Sequence, residues 1–333
     1  MIDRRGILLA ALSVALPGAA VAGNAVRPSP ARRPLTLLVG ATETSETAKV
    51  ARVFASFLGP RLGTPQPGGV EIDVRCTPGE SGRTMLTALG SAIPGGASIG
   101  WVVMPTLAAR MIDHDDHSLI ERIELVGQVE REPIAFVSPA SDPVTSVQEI
   151  IRRAGDDADA VPLGTPSAGS PAHLAALRLQ VLAQTRLNIV TFPSVAALRQ
   201  AVLAGNVSAA ALGLSAVIGD VRDGNLTAIG IAAKRRFGVL PDAPILDEAG
   251  IPLAAFIRRG VAVPAGTPGD LIATLAAAMR AVAEDDTFSR QAEANGYYAA
   301  WADGSAWRAQ IATEHAALAK LWETDPWLSS SGG

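Results

Sequence analysis

Short apolar runs alternate with stretches whose apolar residues recur every three or four positions, and the two rhythms interleave along most of the chain. "LTLLVG" at 35–40 reads as a buried strand, and "TAKVARVFASFLG" at 47–59 has helical spacing closed by Gly59. "VEIDVRC" alternates like a strand, "RTMLTALGSA" carries a helix, "SIGWVVMP" a further strand, and "ERIELVGQVEREPIAFVSPA" one or two more. From Ser146 the same rhythm restarts. "SVQEIIRRAG", "PAHLAALRLQVLAQT" and "SVAALRQAVLAG" read as helices between the strands "DAVPLGTP", "LNIVTFP", "VSAAALG" and "LTAIGIAA". "GVAVPAGTPGDLIATLAAAMRAVAEDD" adds a strand, a Pro/Gly turn and a long helix, and the chain ends in helices. In the last of these, Trp307, Ile311, Leu318 and Leu321 share one face, as core residues do. Strands that alternate with helices form parallel sheets covered on both faces, so the fold class is α/β in two lobes.

Composition narrows the class. The 333 residues are 48% hydrophobic but only 4% aromatic, which suits Ala-rich helices packed on short Val, Ile and Leu strands. The net charge of −4, without basic runs, argues against nucleic acid or anionic lipid as partners. Cys76 is the single cysteine, so no disulfide forms within the chain. Residues 1–22 have a basic start, an apolar stretch and a small-x-small site at Ala20-Val21-Ala22, the features of an export signal. Paired Arg4 and Arg5 fit a twin-arginine signal or an ordinary secretory one. Residues 23–33 form a Pro-rich tether, and the expected location is the periplasm.

One loop stands out. "PLGTPSAGSPAHLAAL", residues 162–177 from Pro162, holds no acid, Lys or Arg and leads from a strand into a helix. Ser170 and Pro171 make a hydroxyl N-cap followed by a first-position proline. The amides after them lack intrahelical partners, Gly169 admits positive φ, and Thr165, Ser167 and Ser170 add hydroxyls. Such a helix mouth holds an anion without a cation, or it is simply a capped helix after a turn. One mouth is marginal for micromolar binding, which needs about 8 kcal/mol; two facing each other suffice. The facing candidate is "VGATETSETAKVAR", with Thr42, Thr44, Ser45 and Thr47 at a helix start, and "TPGESG", with Gly79 and Ser81, is a third such start.

Enzyme motifs are missing. Ser167 has Gly169 two positions after it but Thr165 two before, so G-x-S-x-G fails. No G-x-G-x-x-G or phosphate-binding Lys loop is present. "DHDDH" at 113–117 reads as a solvated turn or, alternatively, as oxygen and imidazole ligands of a metal-assisted hydrolase. Cys76 has no catalytic partner nearby in sequence and reads as inert.

"GTPSAGSPAHLAAL", "FPSVAALRQAVLAGNVSAAALGLSAV", "DGNLTAIGIAAKRRFGVLPDAPILDEAGIP" and "VAVPAGTP" follow in this order. The set resembles the extracytoplasmic solute-binding receptors of the tripartite tricarboxylate transporter family, the Bug proteins. "TPGESG" is similar to the family's "PGAGG" element. The resemblance implies a type II periplasmic-binding-protein fold whose two lobes, each built on a mostly parallel sheet, clasp a small carboxylate. By it, lobe one spans 34–131 plus 256–333, lobe two spans 132–255, and the crossover segments are the hinge. Carried over, the ligand contacts are Thr165, Ser167, Ala168, Gly169 and Ser170, with Thr42, Glu43, Thr44, Ser45 and Thr47 in the first loop. His173 matches the family's helix-start His, its side chain reading as packing or capping ahead of ligand contact. Gly79, Ser81, Phe192 and Ser215 complete the candidate set. The resemblance implies a monomer without cofactor or catalysis that delivers its solute to membrane permease subunits, or presents it to a signalling receptor. The first loop departs from the family's P-G-G-x-x-D form, with Thr44 and Ser45 for the glycines and Ala48 for the Asp. Glu46 in the first turn reads as complementing the helix dipole; Glu43 or Glu46, if aimed into the cleft instead, would favour an amine-bearing or neutral solute.

Overall fold

The computed structural model describes residues 34–63, 69–141 and 144–328; the export signal and tether lie outside the described residues. In chain order the elements are β1 (Leu35–Val39), α1 (Glu46–Leu58), β2 (Ile72–Cys76), α2 (Arg83–Gly90), β3 (Ser98–Met104), α3 (Thr106–Asp113), α4 (Ser118–Glu121) and β4 (Ile123–Pro139). They continue with α5 (Val147–Asp156), β5 (Leu163–Thr165), α6 (Pro171–Ala183), β6 (Ile189–Thr191), α7 (Val195–Leu203), β7 (Ala209–Gly213), α8 (Ile218–Arg222) and β8 (Leu226–Ile231). The last are β9 (Phe256–Pro264), α9 (Gly269–Ala283), α10 (Asp286–Ala294), β10 (Tyr298–Asp303) and α11 (Gly304–Thr324).

The strands join in the order β2-β1-β3-β9-β4-β7-β5-β6, with β10 and β8 also paired to β4. The pairs expected from strand–helix alternation, β1 with β2 and β3 and β5 with β6 and β7, are parallel. β9 runs antiparallel to both β3 and β4. The stretch read as one or two strands is a single strand of 17 residues. Its first part pairs with β9 and β10, and from Ile134 onward it pairs with β7 and β8. The change falls at Pro133, which has no N–H to donate. β10, not expected from the sequence, covers the outer side of β4. Its "YAAWAD" has too little alternation to announce a strand.

Helices cover both faces. Phe54, Trp101, Met279 and Tyr297 are fully buried on one side, and Leu107, Trp307 and Leu318 on the other. α6 is apolar around most of its circumference because two cores use it. Ala172, Ala175, Ala176 and Leu179 pack toward β5, whereas Leu174 and Leu177 meet α3 and α11. Arg178 on α6 pairs with Glu314 on α11 at 2.6 Å, and Gln180 donates to Asp325 at 2.9 Å. The carboxyl-terminal helix thus holds down the helix whose mouth forms the site below. Among the described residues no helix is long and apolar enough to cross a membrane.

Candidate functional site

A cavity of about 350 Å³ opens where the ends of β1 and β3 meet the loops after β5, β6 and β7. The first turn of α3 reaches it through Thr106 and Leu107, and three further helices do so through Thr47 of α1, Ser170 and Ala172 of α6, and Ser194 and Val195 of α7. α1, α6 and α7 each have a serine N-cap. Ser45, Ser170 and Ser194 accept from the amides of Ala48, His173 and Ala197 at 3.2, 3.3 and 3.1 Å. This satisfies one amide per helix and leaves the preceding first-turn amides without an intrahelical partner. The positive ends of three helix dipoles therefore converge on one space.

The sequence-derived candidates divide into those that line this space and those that shape it. Thr47, Ser81, Ser167 and Ser170 line it. Ser45 caps α1 instead, its hydroxyl donating to Thr42 O at 2.7 Å. Glu43 forms a close ion pair with Arg52, whose other nitrogen donates to Glu43 O at 2.8 Å, and Glu46 pairs with Lys49 at 2.6 Å. Neither acid lines the cavity, and neither do Thr42 and Thr44. Gly79, at φ 139°, abuts Thr84 one turn behind Ser81. Gly82 does line the wall, and a Cβ on neighbouring Gly40 would sit 2.7 Å from its Cα, so the two backbones touch there.

Thr165 is fully buried, with its carbonyl accepting from Phe192 N at 2.8 Å. The Phe192 ring packs beside Gly164, outside the cavity lining. Ala168, Gly169 and His173 lie behind Ser167 and Ser170. Gly169 has φ 71°, and a side chain there would collide with the Arg110 guanidinium and the Trp327 indole. Its amide donates to His173 Nδ1 at 3.3 Å, which places the imidazole proton on Nε2. Burial pulls the His173 pKa down to about 4, so the ring is neutral and holds the loop rather than a ligand. Because this value lies below that of the unfolded chain, the stabilisation is complete above pH 6.5 and is lost as pH falls from 6.5 through 4. The difference in unfolding free energy between the native chain and His173→Gln should therefore shrink on acidification through that window.

The structure adds residues that sequence reasoning missed. Pro193, Ser194 and Val195 form the third mouth, although "PSVAAL" carries the same Ser-cap signal as Ser170. Met85, Leu86, Trp101, Val103, Leu107 and Ile257 make an apolar wall. Among the described residues, Arg259 is the one charged side chain lining the cavity, signalled only by a cation inside an apolar run. It is buried between Glu130 and Glu132, at 2.8 and 2.6 Å, and they neutralise its charge. Glu132 also accepts from Ser215 N and Oγ at 2.9 and 2.7 Å, so Ser215 is turned away between the lining residues Gly213 and Ala216. Burial pushes Glu130 up to about 7 despite Arg259.

The 113–117 cluster does not converge on a metal. Asp113 is buried in an ion pair with Arg110 and accepts from Trp327 Nε1 at 2.8 Å. Asp116 pairs with Arg83 at 3.0 Å and accepts from Ser118 at 2.6 Å. Among the described residues no group of three or more His, Cys, Asp and Glu could hold a metal ion. Cys76 lies near Glu43 and Arg52, and burial raises its thiol pKa, which disfavours the thiolate.

The family model described as "Tripartite tricarboxylate transporter family receptor" matches residues 50–320. The chain belongs to this receptor family. Its members are periplasmic solute-binding proteins. A UPF0065 protein of Bordetella bronchiseptica is 27% identical over 245 residues, covering 72% of this chain and 70% of its own length. Among solved structures, R. palustris Rpa4515 with adipate aligns at TM-score 0.78 and 21% identity, over 89% of this chain and 98% of its own. MatC from Rhodopseudomonas palustris with bound malate aligns at 0.73 and 21%, over 87% and 99%. The fold is accordingly that of the periplasmic binding proteins.

Proposed function

We propose that this receptor captures a small carboxylate between two lobes and presents the closed form to the membrane subunits of a tripartite tricarboxylate transporter. The observation that carries the reading is the convergence of three serine-capped helix mouths on one cavity whose lining, among the described residues, contains no carboxylate. Each partly buried mouth contributes up to about 2 kcal/mol to an anion. Each hydrogen bond to the charged group adds about 1.5–3 kcal/mol, which together reach micromolar affinity after ordering costs. The contacts proposed are Thr47, Ser81, Ser167, Ser170 and Ser194, with first-turn amides of α1, α6 and α7. The apolar wall suits a hydrocarbon segment, and Rpa4515 was solved with adipate and MatC with malate. With Glu43 and Glu46 bound to their own cations, nothing in the first loop calls for an amine on the solute.

The lobes proposed are 34–131 plus 256–333 and 132–255. They hinge where β4 changes partners at Pro133 and where the chain enters β9 at Phe256. Closure then depends on a ligand that contacts both lobes and so prefers the closed state. The chain is proposed to act as a monomer without catalysis, after export directed by residues 1–22.

A thermal-unfolding screen of mono- and dicarboxylates, with amino acids as the contrasting arm, tests the solute class. A true ligand at a hundred times its Kd stabilises by about 2.7 kcal/mol. A C4–C6 dicarboxylate is expected to do so. Stabilisation by amino acids alone, with no effect from any carboxylate lacking an amine, would overturn the assignment to a plain carboxylate.

A further inference from the structure

A second pocket, of about 380 Å³, lies on the other side of the crossover strands and is lined by four cations: Arg131, Lys234, Arg235 and Arg258. Two aromatic rings separate them. The Arg131 guanidinium sits 5.2 Å from the Phe256 centroid and 5.7 Å from that of Tyr298. Arg258 approaches Phe256 at 5.6 Å and Arg235 approaches Tyr298 at 5.1 Å. Cation and ring thus alternate across the pocket wall, and stacking on rings fixes the guanidinium forks in place.

No carboxylate among the described residues pairs directly with this concentration of charge. Arg131 on β4 is the direct cross-strand partner of Arg258 on β9, a like-charge juxtaposition that destabilises a sheet. One register step away, Glu130 faces Arg259, an opposite-charge pair. None of the four pocket cations forms an ion pair among the described residues. The nearby carboxylates are engaged elsewhere, Glu314 with Arg178, Glu293 with the amide of Gly238, and Glu130 and Glu132 with Arg259. The Nε of Arg131 is buried without a hydrogen-bond partner. Burial, with Arg131 and Arg178 nearby, depresses the Arg258 pKa even though Glu314 opposes the shift.

We infer that this pocket is a second binding site, separate from the cleft, for a compact anion bearing two or more adjacent oxyanion groups, of phosphate or carboxylate chemistry. Forked guanidinium donors match such groups two bonds at a time, and four cations exceed what a single monovalent anion would neutralise. A bound polyanion would relieve the Arg131–Arg258 repulsion and satisfy Arg131 Nε.

Pyrophosphate and citrate, titrated separately into the full protein by calorimetry at constant ionic strength, test this. At least one should bind at a single saturable site, and which one binds assigns phosphate or carboxylate chemistry. Lys234→Ala/Arg235→Ala, which alters two exposed side chains, should weaken that binding about tenfold or more. Arg131→Gln should weaken it further. Absence of saturable binding by both anions overturns the inference. So does unchanged affinity in the Lys234/Arg235 variant, since the anion would then occupy another place such as the cleft.

Discussion

Ser170→Asp is expected to abolish carboxylate binding while leaving the fold as stable as before. Asp caps a helix as well as Ser does, so the amide of His173 keeps its acceptor. The new carboxylate would nevertheless occupy the mouth of α6, where Ser170 lines the cavity. Two like charges about 4 Å apart repel by about 4 kcal/mol at an effective dielectric constant near 20, a loss of roughly three orders of magnitude in affinity. Calorimetric titration with whichever carboxylate stabilises the native chain measures the loss, and thermal unfolding checks the fold. Affinity within a few-fold of native would mean that the anion is not held at α6. The substitution thereby separates capping from ligand contact, which Ser170→Ala would confound by removing both.

Arg259→Met should cost about 3–5 kcal/mol of stability, because it strands two buried carboxylates. Glu130 would keep no hydrogen-bond donor, and Glu132 only the two from Ser215. Denaturant unfolding of the variant is the measurement, and a loss below about 1 kcal/mol would show that the network is not what holds these strands. Adding Glu130→Gln and Glu132→Gln should return much of the loss, since neutral amides tolerate burial far better than unpaired charges. Glu130 also gives the network a pH signature opposite in sign to that of His173. Its folded pKa of about 7 lies above the ordinary 4.5, so its stabilising contribution is full below 4.5 and fades as pH rises to 7. The single variant Glu130→Gln should lack that trend relative to the native chain.

Much of the site was legible because helix starts are local. Ser170 before Pro171 announces a mouth from neighbouring residues alone, and the structure has Ser170 as N-cap and Pro171 in the first turn. Ser194 carried the same signal, yet its sequence offers nothing to connect it with Ser170. Only the parallel pairing of β5 with β6 brings their following loops side by side. The acids of the first loop show the opposite limit. Glu43 is nine residues from Arg52 and close to the hydroxyls of the helix start, so its direction depended on whether the helix turned Arg52 toward it.

Arg259 was beyond reach for a stronger reason. Its partner Glu130 is 129 positions away, and the pair exists only because β9 runs antiparallel to β4. By itself, the sequence determined the strand and helix rhythm, the serine caps and a chain able to bury an aliphatic core. These follow from backbone geometry and side-chain periodicity within a few residues. Tertiary structure alone decided that three mouths share one cavity, that Arg259 is buried between Glu130 and Glu132, and that four cations meet behind the crossover. Each of those facts depends on strand register between distant segments, and register is settled by the packing of the whole sheet.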